Sequence, residues 1–476
     1  MTPAPTHDRP AWAEAFSAGP RRLAAGLALI AVAPVVVLVC AGYQLAAFDD
    51  ETAYHELLWA IPLLTVAAVA GIVAVRLWSH PDEWLRRRAM VAVGVLAAVV
   101  VVWFVLLTTA RLAPYWTTTL LCVPSTLFGL VLMRRAERNR RVSWLLLAAP
   151  FLWGACVATQ SALATADLRN LVVTRLVTPG TAFMYVDNVV TAVNEEGLKA
   201  LGVLAVLVVF GSRINGVLGG LVTGAVVGIG FQFTESVLYM AGGDSEEMLY
   251  QFWTRQYAGL FASHLVYTGI AGACLGLAFH YRGALARVLC AGAGFLAAVT
   301  AHAAWNVAVS VGLTWRPDSS ALLIFVAQPV NAFVFHSPSI VLFCALVIGA
   351  QRYELRGLRR GLHTEASVGL GAIRPGEVPV LSSASARFRL RLRLLARRDL
   401  RRYRHVRALH EAQLELAYVH WHRAHTGGGD GAESRLRRRI LRLRLLGLVA
   451  TPAPAGTTVS RQAPLPPAVS RQESPA

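Results

Sequence analysis

The chain has 476 residues, of which 55% are hydrophobic and only 15% charged, and its formal net charge is +18. That balance excludes an ordinary soluble domain and a disordered chain, and points to an all-α, polytopic transmembrane helix bundle. The six cysteines all sit in apolar segments without metal spacing, which argues against a disulfide framework and reads as small buried side chains.

A hydrocarbon core of roughly 30 Å needs about 20 apolar residues per helix. In chain order the predicted spans cover about 23–46, 57–77, 89–110, 114–133, 143–165, 187–210, 214–240, 257–280, 285–311 and 330–351. The first is too long for a signal-peptide core and lacks a clear cleavage site, so it reads as a retained helix. Arginines fall before span one, then after spans two, four, six, eight and ten, while loops such as FDDETAYHE and GGDSEEMLYQ are acidic or mixed. Basic residues mark the cytoplasmic side of short loops. The pattern therefore predicts ten spans with both termini cytoplasmic.

Three regions follow. Residues 1–165 form an N-terminal five-helix region with essentially no ionisable residue inside its spans. Residues 166–351 hold five more spans and almost all the intramembrane polarity. Residues 352–476 are a basic, partly disordered cytoplasmic tail, with a flexible stretch expected near 361–385 and a Pro/Ala/Ser-rich end. Its RFRLRLRLL block fits an amphipathic surface helix, although the alternation also fits a strand period. Anionic lipids of the inner leaflet are its expected partner, ahead of nucleic acid, ribosome or protein. HWHRAH (His420, His422, His425) is the motif of an exposed tail rather than of a metal site.

An ionisable residue inside a span costs several kcal/mol unless it is paired or solvated. Span six carries VNEEGLKAL, in which Lys199, the only lysine of the chain, follows Glu195 by four residues and Glu196 by three. Span seven carries Glu235 in GFQFTESVLYM, and span eight carries His264. Span nine carries HAAWN, which puts His302 and Asn306 on one face. At a rise of ~1.5 Å per residue these groups lie roughly 9–14 Å from the outer ends of their helices, so four helices supply one level. Glycines at spacing four (Gly216, Gly220, Gly224, Gly228, and Gly272 with Gly276) allow close helix approach.

Such a group could activate water for amide hydrolysis, with a carboxylate as base and His and Asn donors for the oxyanion. It could hold a metal, zinc being the natural choice for His264, His302 and a glutamate such as Glu235. It could also serve as a proton or ion relay of a transporter, or purely as structural hydrogen bonding.

In order, EEGLK (195–199), FQFTE (231–235), His264 in SHLVYTGIAGACLG and HAAWN (302–306) resemble the PrsW family of intramembrane proteases. That family is similar to the CAAX-processing and bacteriocin-processing membrane protease group. Arg255 also resembles a family arginine. The likeness covers roughly residues 185–310; Asn194, before the carboxylate pair, departs from the pattern. It implies an endopeptidase acting on membrane-anchored proteins in regulated signalling. The near-exclusive use of arginine over lysine and the alanine-rich composition point to a bacterial plasma membrane, and no nucleic-acid partner is expected. Carried over, Glu195 or Glu196 activates water and Lys199 tunes the pair. Glu235, His264 and His302 complete the site, and Asn306 assists His302. With no HExxH motif, glutamate chemistry is favoured over a bound metal. The competing reading is a transporter or a non-catalytic pseudo-protease with the same polar core. On the protease reading, Lys199→Ala should impair activity less than Glu196→Gln.

Overall fold

The structure is a computed structural model that describes residues 20–48, 82–139, 142–178, 180–211, 214, 216–243, 245–281, 283–314, 321–426 and 432–449. Among them every regular element is helical and no strand occurs. The predicted span 57–77 lies outside the described residues. Two compact units divide the chain, Met1–Glu354 and Leu355–Ala476.

The first unit runs through α1 (Pro20–Phe48), α2 (Glu83–Leu112), α3 (Trp116–Ala136), α4 (Trp144–Leu152), α5 (Thr159–Ala164) and α6 (Ala166–Leu176). It continues through α7 (Thr181–Phe210), α8 (Gly216–Ala241), α9 (Ser245–Phe252), α10 (His264–Ala278), α11 (Ala284–Ser310) and most of α12 (Ala321–Val368). Seven stretches among the described residues are long and apolar enough to cross a membrane: Ala25–Gln44, Ala98–Ala136, Trp144–Ala164, Gly216–Ala241, Ser245–Ala278, Ala284–Ser310 and Phe325–Val368. The predicted third and fourth spans meet through one 3-10 turn, Ala113–Tyr115, whose Pro114 offers no backbone N–H. α7 is 30 residues long but carries Glu195, Glu196 and Lys199 in its interior.

α8 is the centre of this unit. It is apolar around its circumference and buried along nearly its whole length, as expected of a helix with neighbours on all sides. Its glycine stripe meets α10 backbone to backbone: a Cβ at Gly220 would strike the Gly272 carbonyl, at Gly224 that of Thr268, and at Gly228 that of His264. On another face, Gly230 and Gly154 bring α8 against the π turn Trp153–Ala158 between α4 and α5. That turn leaves carbonyls without their regular helical partners. Thr159 Oγ1 donates to Gly154 O at 2.9 Å, and Thr234 Oγ1 of α8 to Ala155 O at 2.7 Å. Polar side chains thus replace the backbone bonds that water cannot supply in a bilayer.

The predicted single span 257–280 is broken instead. α9 passes into a π turn, Trp253–Ala258, then a 3-10 turn, Gly259–Phe261, before α10 starts at His264. Gln232 answers the break from α8, donating to the Arg255 carbonyl and accepting from Ser263 Oγ at 3.1 Å.

The second unit contains the end of α12, then α13 (Val378–Leu381), α14 (Ala384–Ala396), α15 (Leu400–Thr426) and α16 (Ala432–Val449). The flexible stretch expected near 361–385 is ordered structure. Leu358, Leu362, Ile373, Val378 and Leu381 pack on Leu414, Ala417 and Tyr418 in a core of their own. Gly361 lets α12 reach the Ala417 backbone. The alternating Arg-Leu block is helix, capped by Ser383 Oγ accepting from the Ala386 amide and burying Leu394. Alternation in so short a run sets no period; a capped start and a packed leucine do. Buried Glu365 receives both Nε and Nη2 of Arg437 at 2.8 Å and lies 2.6 Å from His420 Nε2. The side chains of His422 and His425 lie outside the described residues.

Candidate active site

All the titratable groups singled out in spans six to nine come together. Lys199 Nζ lies 2.8 Å from Glu196 Oε1, 3.3 Å from Glu195 Oε2 and 2.9 Å from His264 Nδ1. It also stands 3.8 Å above the ring of Phe231, which gives the FQFTE aromatic a cation–π role. Glu196 and Lys199 are fully buried. In place of water, Glu196 has Thr268 Oγ1 donating to Oε2 at 3.0 Å and His302 Nδ1 at 3.1 Å from Oε1.

Glu235 Oε2 faces His264 Nε2 at 2.9 Å and Arg255 Nη1 at 3.0 Å. The broken helix makes this possible. His264 can sit at the first turn of α10 against α8, while Arg255 returns to the same carboxylate from the π turn.

Donor chemistry fixes the remaining open atoms. A carboxylate only accepts, so His302 donates from Nδ1 to Glu196, and in a neutral imidazole the lone pair is then on Nε2. That Nε2 lies 3.8 Å from Glu195 Oε2, too far for a direct hydrogen bond. Glu195, His264 and His302 offer ligand atoms that all lie within 4.8 Å of one another. The carboxylate grouped with the two histidines is thus Glu195, whereas the sequence suggests Glu235. Glu235 braces His264 through Nε2.

These residues open on a cavity of about 460 Å³. Glu195, Glu235, Arg255, His264, His302 and Asn306 line it, whereas Glu196 and Lys199 do not. The adjacent glutamates are therefore unequal. A helix turns about 100° between neighbours, and here that turn puts one carboxylate on the cavity wall and encloses the other. Asn306 shares the wall with His302 without a hydrogen bond between them.

Tyr267, Thr268, Gln232 and His336 join the site although the sequence reading does not single them out for it. The Tyr267 ring stacks on His302 at 5.5 Å and 22°, and its hydroxyl lies 2.8 Å from His336 Nδ1. His336 has a sequence signal, being an ionisable residue inside the predicted span 330–351. The other three are unremarkable polar residues until the helices pack.

Fold and site together define a helical, membrane-compatible protein whose buried carboxylate–histidine centre faces a polar cavity. Residues 142–335 match the model of the PrsW family intramembrane metalloprotease, in agreement with the resemblance of the motifs they contain. No curated protein and no solved structure matches the chain. The matched segment is longer than the motif-bearing 185–310, because it takes in α4, α5 and α6. The structure supplies a reason: Trp153 Nε1 donates to Leu198 O at 3.0 Å, bracing the backbone beside Lys199.

Proposed function

We propose that this chain is an intramembrane endopeptidase that hydrolyses peptide bonds of membrane-anchored proteins in regulated signalling, with water activated at Glu195. The observation that carries this reading is the asymmetry of the pair. Glu195 lines the cavity opposite the lone pair of His302 Nε2, while both oxygens of Glu196 are already engaged. In the proposed step Glu195 takes a proton from water as the water oxygen bonds to the scissile carbonyl carbon. The oxyanion meets donors from Arg255 and Asn306. The C–N bond then breaks, and Glu195 returns the proton to the leaving nitrogen. Glu196 and Lys199 position; they do not touch substrate.

The same wall fits a divalent ion. Glu195, His264 and His302 form a His₂Glu nitrogen–oxygen set of the kind zinc takes, provided His264 releases Lys199 or Glu235. Bound there, zinc would acidify water and polarise the carbonyl. Glu235, outside that donor set, would be the second carboxylate on the cavity wall, held by Arg255 and His264.

The arginine-rich loops support ten spans with both termini on the cytoplasmic side of a bacterial plasma membrane. The reading is tested by cleavage of a panel of single-span host proteins in membranes. Wild type is run beside Glu195→Gln, Glu235→Gln and His302→Ala, with and without chelator. Glu195→Gln should lose at least about 100-fold in rate. Full activity of that variant would assign the cluster to a relay or binding pocket instead.

A further inference from the structure

The second unit carries a surface that the proteolytic centre does not explain. Helix α14 exposes Phe388 (61%), Leu392 (51%) and Leu395 (40%). Their spacing, i, i+4 and i+7, makes one continuous stripe along the helix. Arg389 and Arg393 lie to one side of it and are exposed as well, while buried Arg387 and Leu394 close the other side. Between residues 378 and 410 there are ten arginines against a single acidic residue, Asp399.

Charge and apolarity together restrict the partner. An apolar stripe in water is unfavourable, and surfaces of this kind mark an interaction site. A stripe rimmed by arginines with no acidic residue on the helix is the pattern of a helix lying in an interface, apolar side chains towards acyl chains and guanidinium groups among anionic headgroups. Nucleic acid would use the arginines, but phosphate binding rests on charge and single strands on aromatic stacking. Leu392 and Leu395 would contribute nothing there. Helix α16 repeats the pattern in brief, with exposed Leu441 and Leu445 beside exposed Arg438 and Arg442.

We infer that the Phe388–Leu392–Leu395 face of α14 docks into an anionic lipid leaflet, so that the second unit is a membrane-surface module. The chain of this unit follows directly on an apolar stretch of α12. The inference is independent of the proteolytic reading.

The test uses full-length protein in nanodiscs of phosphatidylcholine alone or with phosphatidylglycerol, each containing nitroxide-labelled lipid. Leu392→Cys, and separately Phe388→Cys, is labelled with a fluorophore in a Cys344→Ser background. Glu411→Cys, at an exposed position of α15, is the reference. Docking predicts quenching of the 392 and 388 labels in anionic discs, at least about threefold weaker in neutral discs or high salt. Arg389→Glu with Arg393→Glu should reduce it similarly. Equal quenching in both lipids, or none in either, overturns the inference. A label that ignores lipid but responds to added RNA overturns it in favour of nucleic acid.

Discussion

Lys199 Nζ stands 2.9 Å from Nδ1 of His264, and that contact sets the hydrogen-bond polarity of one side of the site. An ammonium has three donors and no acceptor, so Nδ1 must accept. The imidazole proton of neutral His264 therefore sits on Nε2, where Glu235 Oε2 receives it at 2.9 Å. The only lysine in the chain holds two glutamates and fixes the tautomer of a histidine on α10.

Replacing that lysine should cost more than its distance from the cavity suggests. Lys199→Met keeps most of the volume but leaves buried Glu196 without its counter-charge. Breaking a buried pair by removing one partner costs about 3–5 kcal/mol. Thermal unfolding in detergent should show a clear drop, larger than for Glu195→Gln, whose carboxylate partly faces the cavity. Unchanged stability of Lys199→Met would remove it from the positioning role.

Glycines of α8 should tolerate no side chain where α10 crosses. Gly224→Ala drives a Cβ into the Thr268 carbonyl and the Gly272 backbone, neither of which can swing away. Overpacking costs typically ~1–3 kcal/mol. Separating the helices would also pull Thr268 from Glu196. Gly292→Ala on α11, with nothing within 4 Å, is the matched control and should be neutral. Equal melting temperatures for the two variants would contradict the close approach.

Metal retention can be measured without a substrate. Protein loaded with zinc and dialysed should keep about one ion per chain if the Glu195, His264 and His302 set holds it. His302→Ala should lose that ion. Thr268→Val, which frees Glu196 Oε2 and loosens the carboxylate behind His302, should weaken retention by roughly 10–100-fold. Retention unchanged by His302→Ala would place the ion elsewhere.

The second unit should loosen in two stages on acidification. Burial, with Arg391 and Arg387 nearby, lowers His410 to about 4. Its folded value is below its unfolded one, so the associated stability is complete above about pH 6.5 and fades as pH falls towards 4. Burial pulls the Glu377 carboxyl up, but hydrogen bonds from Arg444, the Arg374 amide and Gln413 hold it below the usual carboxylate range. That contribution is complete above about pH 4 and is lost only below it. Hydrogen exchange should rise first in 405–415 and then, at lower pH, in 372–381. His410→Leu should remove the upper stage alone, and a single stage in the wild type would refute the assignment.

Much of the site was legible in the residues themselves. An ionisable group in an apolar span is conspicuous, so Glu195, Glu196, Lys199, Glu235, His264 and His302 stand out one helix at a time. Spacing within a helix also reports local partners, which is why Lys199 can be paired with both glutamates before any fold is known. Depth along each helix follows from rise per residue. The break before His264 is less visible, because its backbone bonds are replaced by Gln232 from another helix. The order of the second unit is hidden for the opposite reason. Its arginines obscure the few leucines, such as Leu358, Leu362 and Leu414, that build its core.

Sequence by itself determined the helical class, the polar residues inside the spans and their common level, because hydropathy and the 3.6-residue repeat are local properties. Only the tertiary structure decided which of two adjacent glutamates meets the cavity, that Glu195 offers an oxygen near both histidines while Glu235 pairs with His264, and that Thr268 and His336 belong to the site. Those outcomes depend on the rotation of each helix about its axis. That rotation is set by what packs against it, above all the glycine contact between α8 and α10, and by nothing the helix carries alone.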